Sequence, residues 1–152
     1  MIKKKYKIPV SSLIIVHTKD MEILLLHRSD KDGYWQSVTG SLEENESPIE
    51  AAKRELYEET GIKDKEFPIH NWEFSQVYEI YEHWRYRYPP SVSSNTEHVF
   101  SVELPKKITI KIAPKEHKDF KWVPINDAIE MVFSNTNADA LRKLNAKKQA
   151  KG

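Results

Sequence analysis

Cysteine is absent from this chain of 152 residues. Disulfides, thiolate zinc sites and cysteine nucleophiles are therefore excluded, and because this composition fits a reducing compartment we expect a cytoplasmic protein. An excess of one charge sign is also lacking, since 24 lysines and arginines nearly balance 23 aspartates and glutamates for a net charge of +1. That balance argues against a nucleic-acid-binding surface spread over the whole molecule.

Long apolar runs are missing as well. No stretch approaches the roughly 20 apolar residues that a membrane-spanning helix needs. Residues 1–5, which include three lysines, followed by the largely apolar residues 12–16, resemble a signal peptide. However, the apolar run is short and His17, Lys19 and Asp20 interrupt it, so we predict a buried strand and no membrane partner.

The clearest local signals lie between Gly40 and Ile62. Ser47-Pro48-Ile49-Glu50 is a capping box with proline at the first helical position, which predicts a helix that begins near residue 48. Gly61 supplies a left-handed C-terminal cap, so the helix should span about three to four turns.

Three glutamates cluster on this predicted helix. Glu55 and Glu59 are spaced i,i+4 beside the apolar stripe, and Glu58 approaches them from the outer side. Like charges this close repel one another, and a bound cation removes the conflict. Mg²⁺ favours such oxygen ligands, with Mn²⁺ as a substitute. An isolated cluster would more often be a solvated acidic face, but the caps and Arg54, whose planar fork orients carboxylates, favour a metal site.

The complete frame, called the box below, reads G-x5-E-x7-R-E-U-x-E-E-x-G-U, where U is aliphatic, and it covers residues 40–62. By this frame the chain resembles the Nudix hydrolases. The resemblance implies hydrolysis of nucleoside-diphosphate-linked compounds with a divalent metal, held by Glu55, Glu58, Glu59 and a loop carboxylate that position matching assigns to Glu116. It implies catalytic roles for Glu58, Glu116 and Arg54. Glu116 either ligates the metal or acts as general base, with Glu58 the rival base, and its structural alternative is an exposed loop glutamate.

Alternation and helical spacing predict the remaining elements. Strands are expected at residues 10–17, 22–27, 34–39, 72–81, 97–104, 108–112 and 120–123. The first two should form a hairpin, and a long loop should cover residues 83–95. Helices are expected at residues 124–133 and 138–148, followed by a solvated or frayed basic tail at 147–152. A mixed sheet with helices on both faces would bury the apolar runs. This α/β class agrees with the α/β/α sandwich of the Nudix fold, and we expect residues 1–152 to form one domain.

Three stretches outside the fixed box positions narrow the resemblance to the folate-pathway subgroup of this family: residues 6–11, 34–41, and 85–92 with 95–97. Thr39-Gly40-Ser41 stands where many Nudix proteins have Pro-Gly-Gly, and the subgroup shares this departure. The resemblance implies conversion of dihydroneopterin triphosphate to dihydroneopterin monophosphate and pyrophosphate in folate biosynthesis. The alternative is a broader (deoxy)nucleoside triphosphate pyrophosphohydrolase.

Matching to the subgroup also implies eight substrate contacts: Lys7, Arg28, Thr39, Tyr78, Glu79, Ile80, Tyr81 and Ser134. Structural alternatives are a surface charge for each basic residue, a strand end for Thr39, core packing for Tyr78 and Ile80, and a helix C-terminal cap for Ser134. The six histidines show no metal-ligand spacing, and we expect only His117 to border the site.

Other classes of function fit the sequence less well. A non-catalytic binding module would be expected to lack box glutamates, all of which are present. Nucleic-acid decapping is disfavoured because a basic groove is missing. We therefore expect a monomer whose partner is a small-molecule pterin or nucleoside triphosphate, without nucleic acid or membrane.

Overall fold

The computed structural model describes residues 5–151. Residues 1–4 of the signal-like segment and Gly152 of the predicted tail lie outside the described residues. The described chain contains seven strands: β1 (Val10–Thr18), β2 (Glu22–Arg28), β3 (Trp35–Gln36), β4 (Val38–Ser41), β5 (His70–Glu79), β6 (Ser94–Leu104) and β7 (His117–Pro124). Its helices are α1 (Pro48–Thr60), a 3₁₀ helix (Glu82–Arg87), α2 (Ile125–Met131) and α3 (Asn135–Lys151).

The strands form one mixed sheet with β1 at its centre. The main order is β3-β2-β1-β6-β5, while β4 pairs with β1 and β7 pairs with β2. β1 and β6 are parallel, and the other pairings are antiparallel. Because β1 is covered on both faces, its residues from Ser11 to Thr18 are all buried, as is typical of a central strand.

Alternation along β1 supplies a hydrophobic core on each face of the sheet. Leu13 and Ile15 pack on the face covered by α2 and α3. Ile14 and Val16 pack on the opposite face, where α1 contributes the buried Leu56. The predicted mixed sheet with helices on both faces is confirmed.

The predicted strand at residues 108–112 is wrong. Residues 107–113 adopt no regular secondary structure, although Ile110 is buried in the core on the α1 side. The Lys111 N–H donates to Thr60 O at 3.0 Å, and Trp122 Nε1 donates to Ile108 O at 3.0 Å. The alternation of the isoleucines therefore reflects packing of one side of this segment against the core. It does not reflect pairing with a neighbouring strand.

The predicted strand at residues 34–39 is divided into β3 and β4 at Ser37. The Ser37 N–H donates to Asn137 Oδ1 at 2.9 Å, and Asn137 Nδ2 donates to Ser37 Oγ at 3.0 Å. These contacts hold the break, so that β3 pairs with β2 while β4 turns to β1 and carries Gly40 towards α1. Gly40 therefore lies in β4.

The C-terminal helix is longer than predicted. α3 begins at Asn135 and continues to Lys151, so the described part of the basic tail is helical and not frayed. Ser134 Oγ accepts from the Asn137 N–H at 3.4 Å, which places Ser134 at the N-terminus of α3 instead of capping the end of α2. None of the helices in residues 5–151 has both the length and the apolar character needed to cross a bilayer.

Candidate active site

Both ends of α1 are capped as the sequence predicts. Ser47 Oγ accepts from the Glu50 N–H at 3.3 Å, and Glu50 Oε1 accepts from the Ser47 N–H at 2.9 Å. Gly61 adopts a φ of 79°, and its N–H donates to Tyr57 O at 2.8 Å. These contacts hold α1 against the sheet with Glu55 and Glu59 on its buried side.

Arg54 organises the carboxylates around α1. Its Nε and Nη2 donate to the two oxygens of Glu46 at 2.8 and 2.9 Å. Nη1 donates to Glu55 Oε1 at 2.6 Å and to Glu58 Oε2 at 3.2 Å, while Nη2 also reaches Ser41 O at 3.0 Å. Hydrogen bonding to Glu46, then to Glu55, raises the pKa of Arg54. Arg54 is therefore a permanent cation that fixes the direction of the Glu55 carboxylate.

Gly40 leaves the space that the Glu55 carboxylate occupies. A Cβ at position 40 would lie 2.6 Å from Oε2 of Glu55 and closer still to its Cδ and Oε1. Gly40 lacks the left-handed φ of Gly33 and Gly61. Side-chain volume, and not backbone conformation, therefore explains why this position suits only glycine.

A compact group of potential metal ligands comprises Glu59, Glu116 and His117, whose donor atoms all lie within 4.8 Å of one another. Glu59 is 1% exposed, and neither of its carboxylate oxygens has a hydrogen-bond partner in the described chain. His117 Nε2 lies 3.5 Å from Glu59 Oε1. However, burial lowers the pKa of His117 to about 4, so this imidazole is neutral at pH 7 and cannot balance the charge. A group that is rich in carboxylate oxygens and lacks a balancing positive charge suits a divalent cation.

The other box glutamates differ in their relation to this group. Glu55 is buried and interacts directly with Glu59. Burial raises the pKa of Glu55, and burial together with Glu55 and Glu116 raises the pKa of Glu59 well above its ordinary range. The Glu58 side chain is 52% exposed and is linked to the others through Arg54. The structure thus brings Glu55, Glu59 and Glu116 together and leaves Glu58 on the flank.

A cavity of about 630 Å³ lies next to this acidic cluster and is large enough for a small-molecule ligand. Gly40 lines the cavity and abuts Glu55, which joins the two parts of the site. All eight predicted substrate contacts line this cavity: Lys7, Arg28, Thr39, Tyr78, Glu79, Ile80, Tyr81 and Ser134. The Thr39 hydroxyl already donates to Ser12 O at 3.1 Å, so only its lone pairs are free for a ligand.

One end of the cavity is basic. Lys7, Arg28 and Arg87 line it together, and the Lys7 N–H donates to Arg87 O at 2.8 Å. The pKa of the Lys7 ammonium is lowered, mainly because the surrounding protein removes water from it. The positive charges of Arg87 and Arg28 lower this pKa further. Asp30 accepts from Arg28 at 2.7 and 2.8 Å and offsets part of this charge. The remaining positive charge next to a metal-ligand group is suited to a chain of phosphates.

Another part of the cavity wall is aromatic and includes Tyr81, Trp84 and Phe133. Tyr81 and Trp84 stack with ring centroids 5.6 Å apart, and the Tyr81 hydroxyl donates to Phe133 O at 3.1 Å. Arg28 lies over the Trp84 ring at 4.4 Å and connects the aromatic wall to the basic end. Flat aromatic faces of this kind stack well on heterocyclic rings.

Comparison with known proteins places these features in one family. The sequence-family model of the NUDIX domain matches residues 7–144. The chain belongs to the Nudix family. Two relatives named dihydroneopterin triphosphate diphosphatase match most of this Nudix protein. The relative from Haemophilus influenzae is 38% identical over 142 residues, covering 91% of this chain and 89% of its own. The relative from Escherichia coli strain K12 is 36% identical over 146 residues, covering 94% and 96%.

A solved structure supports the same grouping. The structure of the E. coli dihydroneopterin triphosphate pyrophosphohydrolase matches this Nudix domain with a TM-score of 0.86 at 36% identity, covering 91% of this chain and 95% of that one. The likeness therefore extends over nearly the whole of both chains.

Several candidate residues of this Nudix domain were missed by sequence reasoning. His117 was expected only to border the site, but it joins the ligand group with Glu59 and Glu116. Trp84 and Phe133 form the aromatic wall. Glu97 is buried and lines the cavity. The available signal for Glu97 was its place in the stretch 95–97, which carries part of the subgroup resemblance.

Proposed function

We propose that this Nudix protein is a Mg²⁺-dependent pyrophosphohydrolase that converts dihydroneopterin triphosphate to dihydroneopterin monophosphate and pyrophosphate in folate biosynthesis. The observation that carries the proposal is a cavity with a basic part and an aromatic wall that lies next to a metal-ligand group. The names of the relatives from H. influenzae and E. coli support the pterin as the substrate. We further propose a cytoplasmic monomer, with residues 1–152 as a single domain and without nucleic-acid or membrane partners.

In this proposal Glu55, Glu59 and Glu116 hold the metal, with neutral His117 beside them. A divalent cation, when bound, neutralises phosphate charge and lowers the pKa of a water molecule. Arg54 aims the Glu55 carboxylate at the site through its 2.6 Å hydrogen bond, and it offsets part of the rise that burial causes in the pKa of Glu55. Mg²⁺ suits this oxygen-rich set, and Mn²⁺ is the expected substitute.

Glu58 and Glu116 are the two candidates for the general base. Glu116 belongs to the compact ligand group, which favours it as a ligand. Glu58 is half exposed and held by Arg54 at 3.2 Å on the flank of that group. We therefore assign proton removal from the attacking water to Glu58.

In this proposal, substrate binding is divided between the basic part and the aromatic part of the cavity. Lys7 and Arg28 are proposed to contact phosphate oxygens beside the acidic cluster, where Thr39 also lies. The segment from Tyr78 to Tyr81 and Ser134 would surround the pterin ring, with Tyr81 offering a stacking face. In this arrangement the phosphate chain would lie next to the metal ligands and the ring would lie against the aromatic wall.

A broader (deoxy)nucleoside triphosphate pyrophosphohydrolase is the second candidate. It is favoured by the size of the cavity, about 630 Å³, which admits a purine as readily as a pterin. The same metal ligands and basic residues would serve both activities, so only the preference for the ring distinguishes them.

A substrate panel tests the proposal. Pyrophosphate and orthophosphate are quantified with Mg²⁺ for dihydroneopterin triphosphate and the four dNTPs. We expect pyrophosphate as the product and the highest kcat/KM for the pterin; equal values for all five substrates would favour the broader activity, and absence of turnover would refute both.

Two variants locate the reaction on the protein. Glu59→Gln should abolish most hydrolysis because it removes a buried carboxylate from the ligand group. Glu44→Gln changes an exposed glutamate outside the cavity and should leave the rates unaltered. Near-normal turnover by Glu59→Gln would show that the metal site is misassigned.

A further inference from the structure

A second buried carboxylate lies in the cavity wall, separate from the metal-ligand group. Glu97 is 4% exposed and lines the cavity. It lies on β6 between β1 and β5, directly across from Ser11 and Gln76. Because paired residues of adjacent strands share a face, these three side chains project to the same side of the sheet.

The partners of Glu97 are neutral. Gln76 Nε2 donates to Glu97 Oε1 at 3.2 Å and to Thr136 O at 2.8 Å. The Thr136 side chain also hydrogen-bonds to Glu97. Within residues 5–151, Glu97 takes part in no ion pair with lysine, arginine or histidine. Burying a carboxylate without a cation is costly, and burial accordingly raises the pKa of Glu97 to about 7.

A purely structural role does not require this charge. Glutamine at position 97 could keep an acceptor for Gln76 and a hydrogen bond to Thr136 without the desolvation penalty of an ionisable group. An ionisable group retained in a ligand cavity despite that penalty points to contact with the ligand. The carboxylate has accepting capacity beyond its contacts with Gln76 and Thr136, since two oxygens offer about four lone-pair sites.

Building on the pyrophosphohydrolase function proposed above, we propose that Glu97 selects heterocycles with a 2-amino-4-oxopyrimidine edge. That edge, which pterins and guanine share, presents a ring N–H and an exocyclic amino group side by side. A carboxylate can accept both hydrogen bonds in parallel, as it does from the fork of an arginine. Adenine, cytosine and thymine lack this donor pair, so they would leave the buried Glu97 carboxylate incompletely paired.

Glu97→Gln tests this assignment, with Glu103→Gln as the matched control. Glu103 is an exposed glutamate on the same strand and lies outside the cavity. We expect Glu97→Gln to raise KM for dihydroneopterin triphosphate and dGTP about 10- to 100-fold, the range for hydrogen bonds to a charged group. The KM for dATP and all kcat values should stay near wild type, as should every constant of Glu103→Gln. An equal loss for all substrates would show a structural role and overturn the proposal.

A second comparison uses the wild-type protein alone and does not depend on the folding of a variant. dITP differs from dGTP by the missing 2-amino group, so it should show a KM about 10-fold higher. Equal KM values would overturn the assignment of Glu97 while leaving the pyrophosphohydrolase proposal intact.

The substrate panel also distinguishes the two compounds that have this pyrimidine edge, dihydroneopterin triphosphate and dGTP. A higher kcat/KM for the pterin than for dGTP supports the proposed substrate together with the role of Glu97. A higher value for dGTP supports the role of Glu97 and refutes the pterin. Absence of pyrophosphate release from every substrate refutes the pyrophosphohydrolase itself.

Discussion

Replacing Gly40 with alanine should inactivate the protein without unfolding it. The added Cβ would lie 2.6 Å from Glu55 Oε2 and nearer to two other atoms of that carboxyl group. Carbon atoms make contact at about 3.5–4.0 Å, so the carboxylate has to retreat by about 1 Å. Glu55 is buried and held by Arg54 at 2.6 Å, so the displacement is passed to Arg54 and to neighbouring Glu59.

The magnitude follows from that displacement. A misplacement of about 1 Å in a catalytic arrangement costs about 100-fold in rate. Overpacking destabilises by about 1–3 kcal/mol, and the lower end applies here because a side-chain terminus, not backbone, has to move. We therefore expect kcat of Gly40→Ala to fall about 100-fold and the Mg²⁺ concentration for half-maximal activity to rise.

The assay is pyrophosphate release across a Mg²⁺ titration, combined with urea unfolding. Gly61→Ala is the control, because its φ of 79° is unfavourable for alanine but its nearest new contact is an ordinary 3.5 Å. Gly61→Ala should lose about 1–2 kcal/mol of stability and keep its kcat. If Gly40→Ala keeps both kcat and its Mg²⁺ dependence within a factor of about 3, far short of the loss expected from such a shift, the steric reasoning is refuted.

Three further predictions address the residues around this centre. Arg54→Lys replaces a fork that contacts Glu46, Glu55 and Glu58 by a single ammonium, so kcat should fall about 10- to 100-fold; unchanged kinetics in a Mg²⁺ titration would contradict this. Ser47→Ala removes the N-cap of α1 and should lower the free energy of unfolding in urea by about 1 kcal/mol with normal kcat; equal stability would contradict it. The pKa of Glu97 is raised from an ordinary 4.5 to about 7 in the folded protein, so proton binding by Glu97 stabilises the fold. This contribution is fully present below pH 4.5 and is lost as pH rises through 7. In urea unfolding, the stability of Glu97→Gln relative to wild type should therefore rise by about 2–3 kcal/mol between pH 5 and pH 8, and a constant difference would refute the burial argument.

α1 was predictable because its determinants are local. Ser47, Glu50 and Gly61 act on backbone groups within a few residues, so their spacing specifies where the helix begins and ends. The placement of Glu55 and Glu59 on its buried side follows from helical geometry alone. The resemblance to a family then assigned the later carboxylate, Glu116, which the structure places beside Glu59.

The rest depends on contacts between distant parts of the chain. The isoleucines near residue 110 alternate as in a strand, but no pattern shows that the segment lacks a pairing partner. Glu46 is a fixed position of the frame, but the sequence does not show that its carboxylate binds the Arg54 fork, eight residues away. Glu97 likewise resembles a strand residue until β5 and α3 surround it. In each case the tertiary neighbour, and not the local pattern, determines the role.

The most direct test of the central claim is an anomalous-diffraction measurement on crystals grown with Mn²⁺ and a non-hydrolysable triphosphate analogue of dihydroneopterin. Metal density is expected among the carboxylates of Glu55, Glu59 and Glu116, with the ring in the aromatic cavity. Metal bound elsewhere on the protein, or a ring outside the cavity, would contradict the account.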